Sequence, residues 1–497
     1  MLLTEELLFQ YKRCNRRAFL NVYGEESQKQ PEKEFTLKLR QEKEFHSKRV
    51  LEIYNLRYYQ PQVLIKDTEN ILKLALMTED LMAIGVECIY QGIIAHKTII
   101  INEGKEEEIT LIAFPTLLIK QNIPSRWGNW SYFPVNTPLG KNIKPEYKIM
   151  SAFGGDILNQ IQGINLSQTH IFLKNKYKPY HLNLNMWISS SRDLVRECVS
   201  MLANKNEPEI FISRQRCGFC QWYQSCYSLA KSQQNLSLIP GISQKKQELL
   251  IKNNITNFFS LSQVTLSDLK QVFDVEIANN IYQQTQSLFT SKAILKNILP
   301  KIPTNNIELY FDIEAEPERN LDYLLGVLLV NHQTQQQKYY TFLAKNIEEE
   351  ENIWQEFVTF INQYENAPIF HYSPYEVETI KRLGYLYKTP SSQLKSILSR
   401  LFDLHKTVIN SFFLPVENYS LKSIANWLGF HWRNPKTGKT LSNYDKVGGD
   451  QCVFWYDQWL QTGDRIWLDY ILIYNEDDCL GTYELKKWLT KYQDKLA

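Results

Sequence analysis

The sequence predicts a multidomain α/β protein, and three observations carry that prediction. At 497 residues the chain is long enough for two or three domains, each with a core of its own. Strand-like apolar runs and helix-like amphipathic runs occur together near both ends, as mixed α/β domains require. From about residue 231 to 300 the chain turns polar and helical, so residues 1–230 and 305–497 read as separate domains joined by a helical connector.

Charge and hydropathy set the bounds. The net charge is only +2, yet residues 305–497 hold 19 Lys/Arg against 26 Asp/Glu, which leaves 37 against 28 upstream. A basic front half fits nucleic-acid phosphates and an acidic back half fits metal sites, although solvated surface charge produces the same asymmetry. No 18-residue apolar run occurs, and the opening stretch MLLTEELLFQYKRCNRRAFL reads as one amphipathic helix. Neither a leader nor a membrane span is therefore expected, and a cytoplasmic protein is. There is no tandem repeat and no long low-complexity tract.

The back domain starts on ELYFDIEAE, Glu308 to Glu316, an apolar strand that ends in Asp312, Glu314 and Glu316. Side chains alternate across a strand, so Asp312 and Glu314 share a face, with Phe311 and Ile313 on the other. Like charges placed side by side repel unless a cation lies between them. Oxygen donors select a hard divalent ion, Mg²⁺ or Mn²⁺, which keeps waters for a phosphate substrate. An exposed acidic strand end is the plainer alternative. Near the C-terminus ILIYNEDDCLGTYELKKWL reads as a helix with Tyr474 and Asp478 four residues apart on one face. Between these segments, APIFHYSPYEVETIKRLG reads as a strand and then a helix from Pro374, with Glu376 in its first turn and His371 at the strand end. Asp403 follows in RLFDLHKTV.

Asp-x-Glu on a first strand, an acid after a middle strand and Tyr-x-x-x-Asp on a late helix resemble the ribonuclease-H-like 3′→5′ exonucleases of the DEDDy type, over about residues 305–497. The resemblance implies that Asp312, Glu314, Glu376 and Asp478 hold two metal ions and that Tyr474 orients the attacking water. Clustered acids suit such a reaction, because two ions roughly 3.5–4 Å apart can activate water and stabilise the leaving oxygen. Glu376 stands where most such enzymes have Asp, which leaves Asp403 as a rival. Asp477 is a rival to Asp478, and the Tyr-x-x-x-Asp spacing favours Asp478. The strands DYLLGVLLV and KYYTFLA, then a helix from about 349 to 364, then the strand before His371, fit a ribonuclease-H-like mixed sheet. The stretch from LGFHWRNPKTGKTLSNYDKV to the final helix reads as a turn-rich, basic and aromatic insert suited to guiding a substrate.

Eight cysteines in a chain read as cytoplasmic argue for ligands rather than disulfides. Cys217, Cys220 and Cys226 form C-x2-C-x5-C, and Cys14 lies far upstream. Four thiolates suffice for zinc or for a [4Fe–4S] cluster. One cysteine far ahead of C-x2-C-x5-C resembles the iron–sulfur RecB-family nucleases, including those of CRISPR adaptation, and the resemblance favours the cluster, which there staples the ends of a PD-(D/E)XK nuclease domain. Cys88, Cys198, Cys452 and Cys479 lack paired spacing and read as core thiols. The front domain departs from the family at its own active site: Thr116 stands for the metal-binding Asp, Asn136 and Pro138 for the acid and lysine, and Met150 for a polar helix residue. Such side chains bring no charge to offset dehydration of an ion, so a nuclease fold without nuclease chemistry is expected, with His46 an ordinary helix histidine. SRWGNWSYF places aromatics beside Arg126, where they either stack bases or pack.

In the connector, Leu-Ile-Pro-Gly-Ile followed by a helix resembles a helix–hairpin–helix. There Gly241 would let backbone N–H groups meet a phosphate, with Lys245 and Lys246 beside it. TLSDLKQVFDVEIANNIYQQTQSLF lacks the hairpin glycine and reads as a packing partner. The whole order resembles a bacterial family of RecB-like nucleases. It implies a metal-dependent 3′→5′ exonuclease acting on DNA or RNA, with the front domain as a binding platform. The rival is a non-catalytic nucleic-acid scaffold in DNA repair or recombination.

Overall fold

In the computed structural model, which describes residues 1–62, 68–440 and 448–496, the chain divides at Cys226 into Met1–Cys226 and Tyr227–Ala497, each built around sheets of its own. In the first unit Cys88–Tyr90, Leu117–Gln121 and Ser131–Asn136 pair antiparallel in that order. Ser131–Asn136 then pairs in parallel with Gln168–Ile171, and a parallel neighbour needs a crossover. The helix Pro145–Gln162 supplies it. Proline presets its first turn, and Gly163, at φ +68°, takes the left-handed conformation that ends it. This helix sits inside the core, where Ile149, Phe153 and Leu158 join Leu118, Tyr132 and Ile171. Tyr58–Tyr59 and Tyr180–Asn183 edge this six-stranded sheet, and a second sheet holds Leu2–Thr4, Lys105–Ala113 and Ile94–Asn102.

The opening stretch is two helices, not the single amphipathic helix expected. Glu5–Arg13 and Asn15–Tyr23 separate at Cys14, whose backbone is extended. Cys14 serves both helix ends: its N–H closes the first on the Gln10 carbonyl, and its Sγ accepts from the Arg17 N–H at 3.4 Å to cap the second.

The second unit holds a five-stranded sheet in the order Gln336–Leu343, Leu321–Asn331, Ile307–Glu316, Ile369–His371, Leu401–Asp403. The first three strands are antiparallel and the last two run parallel to Ile307–Glu316. Strand alternation splits the central strand between two cores. Leu309, Phe311 and Ile313 pack with Trp354, Phe357 and Ile361 of the helix Glu350–Asn362. Tyr310 packs with Phe370, Cys479, Leu485 and Leu489, the last three on the opposite face and its helix. Burying a large apolar side chain of this kind stabilises by about 1.5–3 kcal/mol, so both faces of this strand are firmly held. The covering element on the Tyr310 face is the 30-residue helix Arg465–Asp494. Register slips once, where Glu314 pairs with Leu324 but Ala315 pairs with Asp322, so Tyr323 is the extra residue of a β-bulge.

Residues 231–300 have a small core of their own, with Leu236, Ile242, Leu250, Leu269 and Ile281. Even so they group with the C-terminal unit rather than forming a third body. Ile294–Leu295 pairs antiparallel with Phe412–Phe413, and Gln284 and Ser287 donate to the carbonyls of Leu414 and Phe413 at 2.7 and 2.9 Å. The insert read before the final helix is also more ordered than expected. Gly449–Thr462 is a helix that buries Trp455 and Tyr456, while residues 441–447 of that stretch lie outside the described residues. No helix among the described residues is long and apolar enough to cross a membrane.

Candidate metal centre

The central strand carries Glu308, Asp312 and Glu314 on one face, and their surroundings differ sharply. Glu308 is buried, and Lys486, the Tyr310 hydroxyl and His332 reach it at 2.5, 2.6 and 2.9 Å. Burial opposes its charge, but those hydrogen bonds and the lysine overcome it and leave its pKa lowered. Asp312 and Glu314, farther along, meet Asp478 of the final helix. Among the described residues these are the only three His, Cys, Asp or Glu side chains whose ligand atoms lie within 4.8 Å of one another. Glu314 is buried, while Asp312 and Asp478 keep an edge in solvent, so the cluster is reachable.

Neutral hydrogen-bond donors hold the carboxylates in place. The Asn475 Nδ2 donates to Asp312 Oδ2 at 2.7 Å and also reaches Glu314, while its Oδ1 accepts from the Tyr339 hydroxyl at 2.7 Å. Gly326 makes this possible. A Cβ there would stand 1.7 Å from Asn475 Oδ1, so only glycine lets the final helix come this close to the sheet. Trp432 Nε1 donates to Asp478 Oδ1 at 2.7 Å, the Tyr474 hydroxyl also bonds Asp478, and the Cys452 thiol bonds Glu314.

Crowded burial makes ionisation difficult here. Burial raises Asp312 well above the ordinary carboxylate value, and the charges of Asp478, Glu314 and Glu376 add to the rise. Glu314 is raised by burial and then by Asp478, against the Cys452 hydrogen bond and the charge of Lys422. Asp478 is raised from 3.8 to about 6, with Lys422 and the Trp432 hydrogen bond opposing its burial. Burial and the same acids push the Tyr474 phenol far above its ordinary value, so it stays protonated and can only donate or accept a hydrogen bond. Hard oxygen donors, shared charge and an open edge fit a divalent cation of the Mg²⁺ or Mn²⁺ kind.

The other candidates fall on either side of this cluster. Glu376, in the first turn of Pro374–Leu386, is outside the triple; its carboxylate accepts from the Ser373 hydroxyl at 2.8 Å, yet its charge acts on Asp312. Asp403 caps the helix Leu404–Ser411 by accepting from the Lys406 N–H at 3.0 Å. Asp477 pairs with Arg433 at 2.7 Å, and buried Glu316 turns back on the Glu318 N–H at 3.0 Å. His371 is buried, with Nδ1 2.7 Å from the Ser373 carbonyl oxygen. Asn475, Trp432, Gly326 and Lys422 escaped the sequence reading, which took Cys452 only as a core thiol. Two of them left signals: a glycine inside the apolar strand LLGVLL marks a close backbone approach, and Asn475 lies within one helical turn of Tyr474 and Asp478.

In the N-terminal unit Thr116, which stands where an acid was expected, joins a neutral hydroxyl cluster. Thr137 Oγ1 lies 2.8 Å from Thr116 Oγ1 and 2.9 Å from Ser47 Oγ, and Asn136 Nδ2 donates to Ser151 Oγ at 2.9 Å. Met150 is buried, and so is His46, whose Nε2 lies 3.0 Å from the Phe172 carbonyl oxygen and whose pKa burial lowers. Arg126 is exposed, pairs with Glu79 and lies 4.9 Å from the ring of half-buried Trp127, while Trp130 Nε1 donates to the Met82 carbonyl at 2.9 Å. Cys226 feels the charges of Cys220 and Cys14, which makes them neighbours; burial raises its thiol to about 11 against the opposing Arg16. In the connector Gly241 has φ +85° with open space around it, and Lys246 Nζ donates back to its carbonyl at 2.9 Å while Lys245 is exposed.

Residues 309–490 match the family model RNase_H_2 of the RNase H superfamily. The C-terminal domain is therefore RNase H-like, which suggests a nuclease-type hydrolase with a nucleic-acid substrate, and divalent metals are what such nucleases use. No curated protein matches the chain.

Proposed function

We propose that the C-terminal domain is a metal-dependent 3′→5′ exonuclease of DNA or RNA. The observation that carries this reading is the gathering of Asp312, Glu314 and Asp478 within 4.8 Å on an RNase H-like sheet, fixed by Asn475 and Trp432. Asp312, Glu314 and Asp478 would hold Mg²⁺ or Mn²⁺, with Glu376 joining from the Asp312 side. Two such ions would supply Lewis-acid charge at the scissile phosphate and lower the pKa of the attacking water. The protein's own part is positional. Asn475 aims the Asp312 and Glu314 carboxylates, Trp432 aims Asp478, and Tyr474, protonated and bonded to Asp478, is placed to orient the water rather than to remove its proton.

The N-terminal unit would serve as a platform with the topology of a PD-(D/E)XK domain. Supporting this is its order of three antiparallel strands, a crossover helix and a parallel fourth strand. Cys14, Cys217, Cys220 and Cys226 would carry a [4Fe–4S] cluster. What supports one shared site is that Cys220 and Cys14 both act on Cys226. Gly241, Lys245 and Lys246 would meet a backbone phosphate as a helix–hairpin–helix does, since the hairpin glycine is left-handed and Ser243 caps a nine-residue helix.

Anaerobically purified protein incubated with Mn²⁺ and single-stranded DNA or RNA, labelled at either end, tests the proposal. Stepwise shortening from the 3′ end is expected. Cleavage only at internal positions would overturn the exonuclease assignment, and binding with no cleavage in any metal would move the protein to the scaffold reading.

A further inference from the structure

Beside the last strand of its sheet, Leu401–Asp403, the C-terminal unit holds a groove of about 610 Å³, walled also by the helices Pro374–Leu386 and Leu404–Ser411. Ile298, Pro300, Val377 and Leu401 give it an apolar side, and Lys406 and Asn410 a polar one. Its lip is anchored. The Lys296 N–H donates to the Ser411 carbonyl and Asn297 Nδ2 to the Asn410 carbonyl, each at 2.7 Å. Ile298 is thereby held beside the groove with 92 % of its surface in solvent. His371 lines the same groove and is only 1 % exposed. Its Nδ1 lies 2.7 Å from the Ser373 carbonyl oxygen, which can only accept, so Nδ1 carries a proton. In the neutral ring Nε2 then holds the lone pair, and no group among the described residues hydrogen-bonds it. Buried polar atoms are normally paired, so an idle acceptor on a groove wall calls for a ligand that donates. The ring's other neighbour is Glu376, 3.6 Å from Nδ1, whose charge acts on Asp312; the groove therefore begins beside the acid cluster.

Size, wall and rim point to one chemistry. Small-molecule sites are about 300–1,000 Å³, mostly apolar, with a few polar groups that fix orientation. A nucleobase brings flat apolar faces for the Ile298 and Pro300 side and an edge N–H for His371 Nε2. Its phosphate suits exposed Lys406, which makes no ion pair among the described residues, whereas Lys381 is shared with Glu378 at 3.1 Å. Asp403 also lines the groove, but its carboxylate is turned to the Lys406 N–H as a helix cap. We propose that this groove is a nucleotide subsite. It takes one unpaired base of the substrate strand, hydrogen-bonded to His371 Nε2, with the adjoining phosphate on Lys406. The contact with Glu376 favours a strand that continues to the acids over a free nucleotide. This rests on the exonuclease reading of those acids, and it makes His371 and Ile298 residues that position the strand.

The test is binding of fluorescently labelled single strands of DNA and RNA to the full chain in EDTA, so that no strand is cut. Two variants probe the groove. Ile298→Ser changes only an exposed side chain, and His371→Asn offers an amide nitrogen to the Ser373 carbonyl in place of Nδ1 but has no counterpart of Nε2. Each should weaken binding by roughly three- to tenfold. A single abasic nucleotide moved along the strand should cost the wild type a similar factor at one position, and should cost Ile298→Ser nothing further there. Equal binding by the wild type and both variants, or an abasic loss as large in Ile298→Ser as in the wild type, would overturn the inference. So would competition by AMP or dAMP at the concentration of the strand itself, which would put a free nucleotide in the groove. Failure of the exonuclease reading looks different: the wild type would show the same abasic dependence in EDTA yet shorten no strand with Mn²⁺.

Discussion

The two units of this chain each gather polar side chains into one place, and they do so with opposite chemistry. In the N-terminal unit Ser47, Thr116 and Thr137 satisfy one another through hydroxyl bonds of 2.8 and 2.9 Å, with no charge involved. In the C-terminal unit Asp312, Glu314 and Asp478 crowd three carboxylates together and burial raises all three pKa values. A neutral cluster that closes on itself is finished by folding. A like-charged cluster is not, and its unspent electrostatic demand is what a divalent cation can answer. The teaching is that polar convergence alone does not identify a metal centre; uncompensated charge does. Glu308 makes the same point within a single strand, since Lys486 answers its charge and leaves it no vacancy for an ion.

Breaking the acidic side of this comparison should have the largest effect. Asp312→Asn is expected to lower metal-dependent hydrolysis by roughly 10³-fold and to abolish Mn²⁺ binding with the fold intact, checked by single-turnover kinetics and calorimetry. Gly326→Ala comes next, because its Cβ would collide with Asn475 and push the final helix off the sheet. A destabilisation of about 1–3 kcal/mol in denaturant unfolding is expected, with a loss of activity near 10²-fold from misplaced carboxylates. Removing a thiol, as in Cys220→Ser, should abolish visible cluster absorption and lower the unfolding temperature of the N-terminal unit, while metal-dependent cleavage stays within a few-fold.

The acids also predict a pH dependence. From pH 3.8 to about 6 the folded Asp478 retains a proton that the unfolded chain has released, so the stability of the metal-free protein falls as pH rises through that window. The shift corresponds to up to about 3 kcal/mol, reduced by solvent at the open rim. Divalent ions bind the ionised acids, so the gain in unfolding temperature on adding Mn²⁺ should be small near about pH 5 and grow toward about pH 7.5. An equal gain at both values would contradict the assignment of these carboxylates as ligands. The smallest effect belongs to the neutral cluster: Thr116→Ala should cost about 0.5–1.5 kcal/mol, one hydrogen bond's net worth, and leave hydrolysis unchanged.

Much of the acidic site was legible in the chain because strand alternation and helical spacing are short-range rules. They place Asp312 beside Glu314, and Asp478 one turn from Tyr474, with no knowledge of the tertiary fold. What they do not reveal is which distant residues fill the space between strand and helix. Lys422, in LKSIANWL, reads as one solvated charge of an amphipathic helix, and only packing sets it over Tyr474 and Trp432. The bulge at Tyr323 depends on strand register, which alternation cannot count. The Gly449–Thr462 helix was hidden by its flanking glycines and dense aromatics, and the break at Cys14 by a thiol acting as a helix cap. In the front unit the sequence led us to expect no acid at Thr116, but the hydroxyl bonding of Thr116, Thr137 and Ser47 needed the fold.

Hydrolysis of 3′-labelled and 5′-labelled single strands with Mn²⁺ by the wild type, Asp312→Asn and Thr116→Ala in parallel decides which unit carries the chemistry. Thr116→Ala should match the wild type while Asp312→Asn is inactive. Full activity in Asp312→Asn, with loss in Thr116→Ala, would place the chemistry in the N-terminal unit and contradict the proposed function.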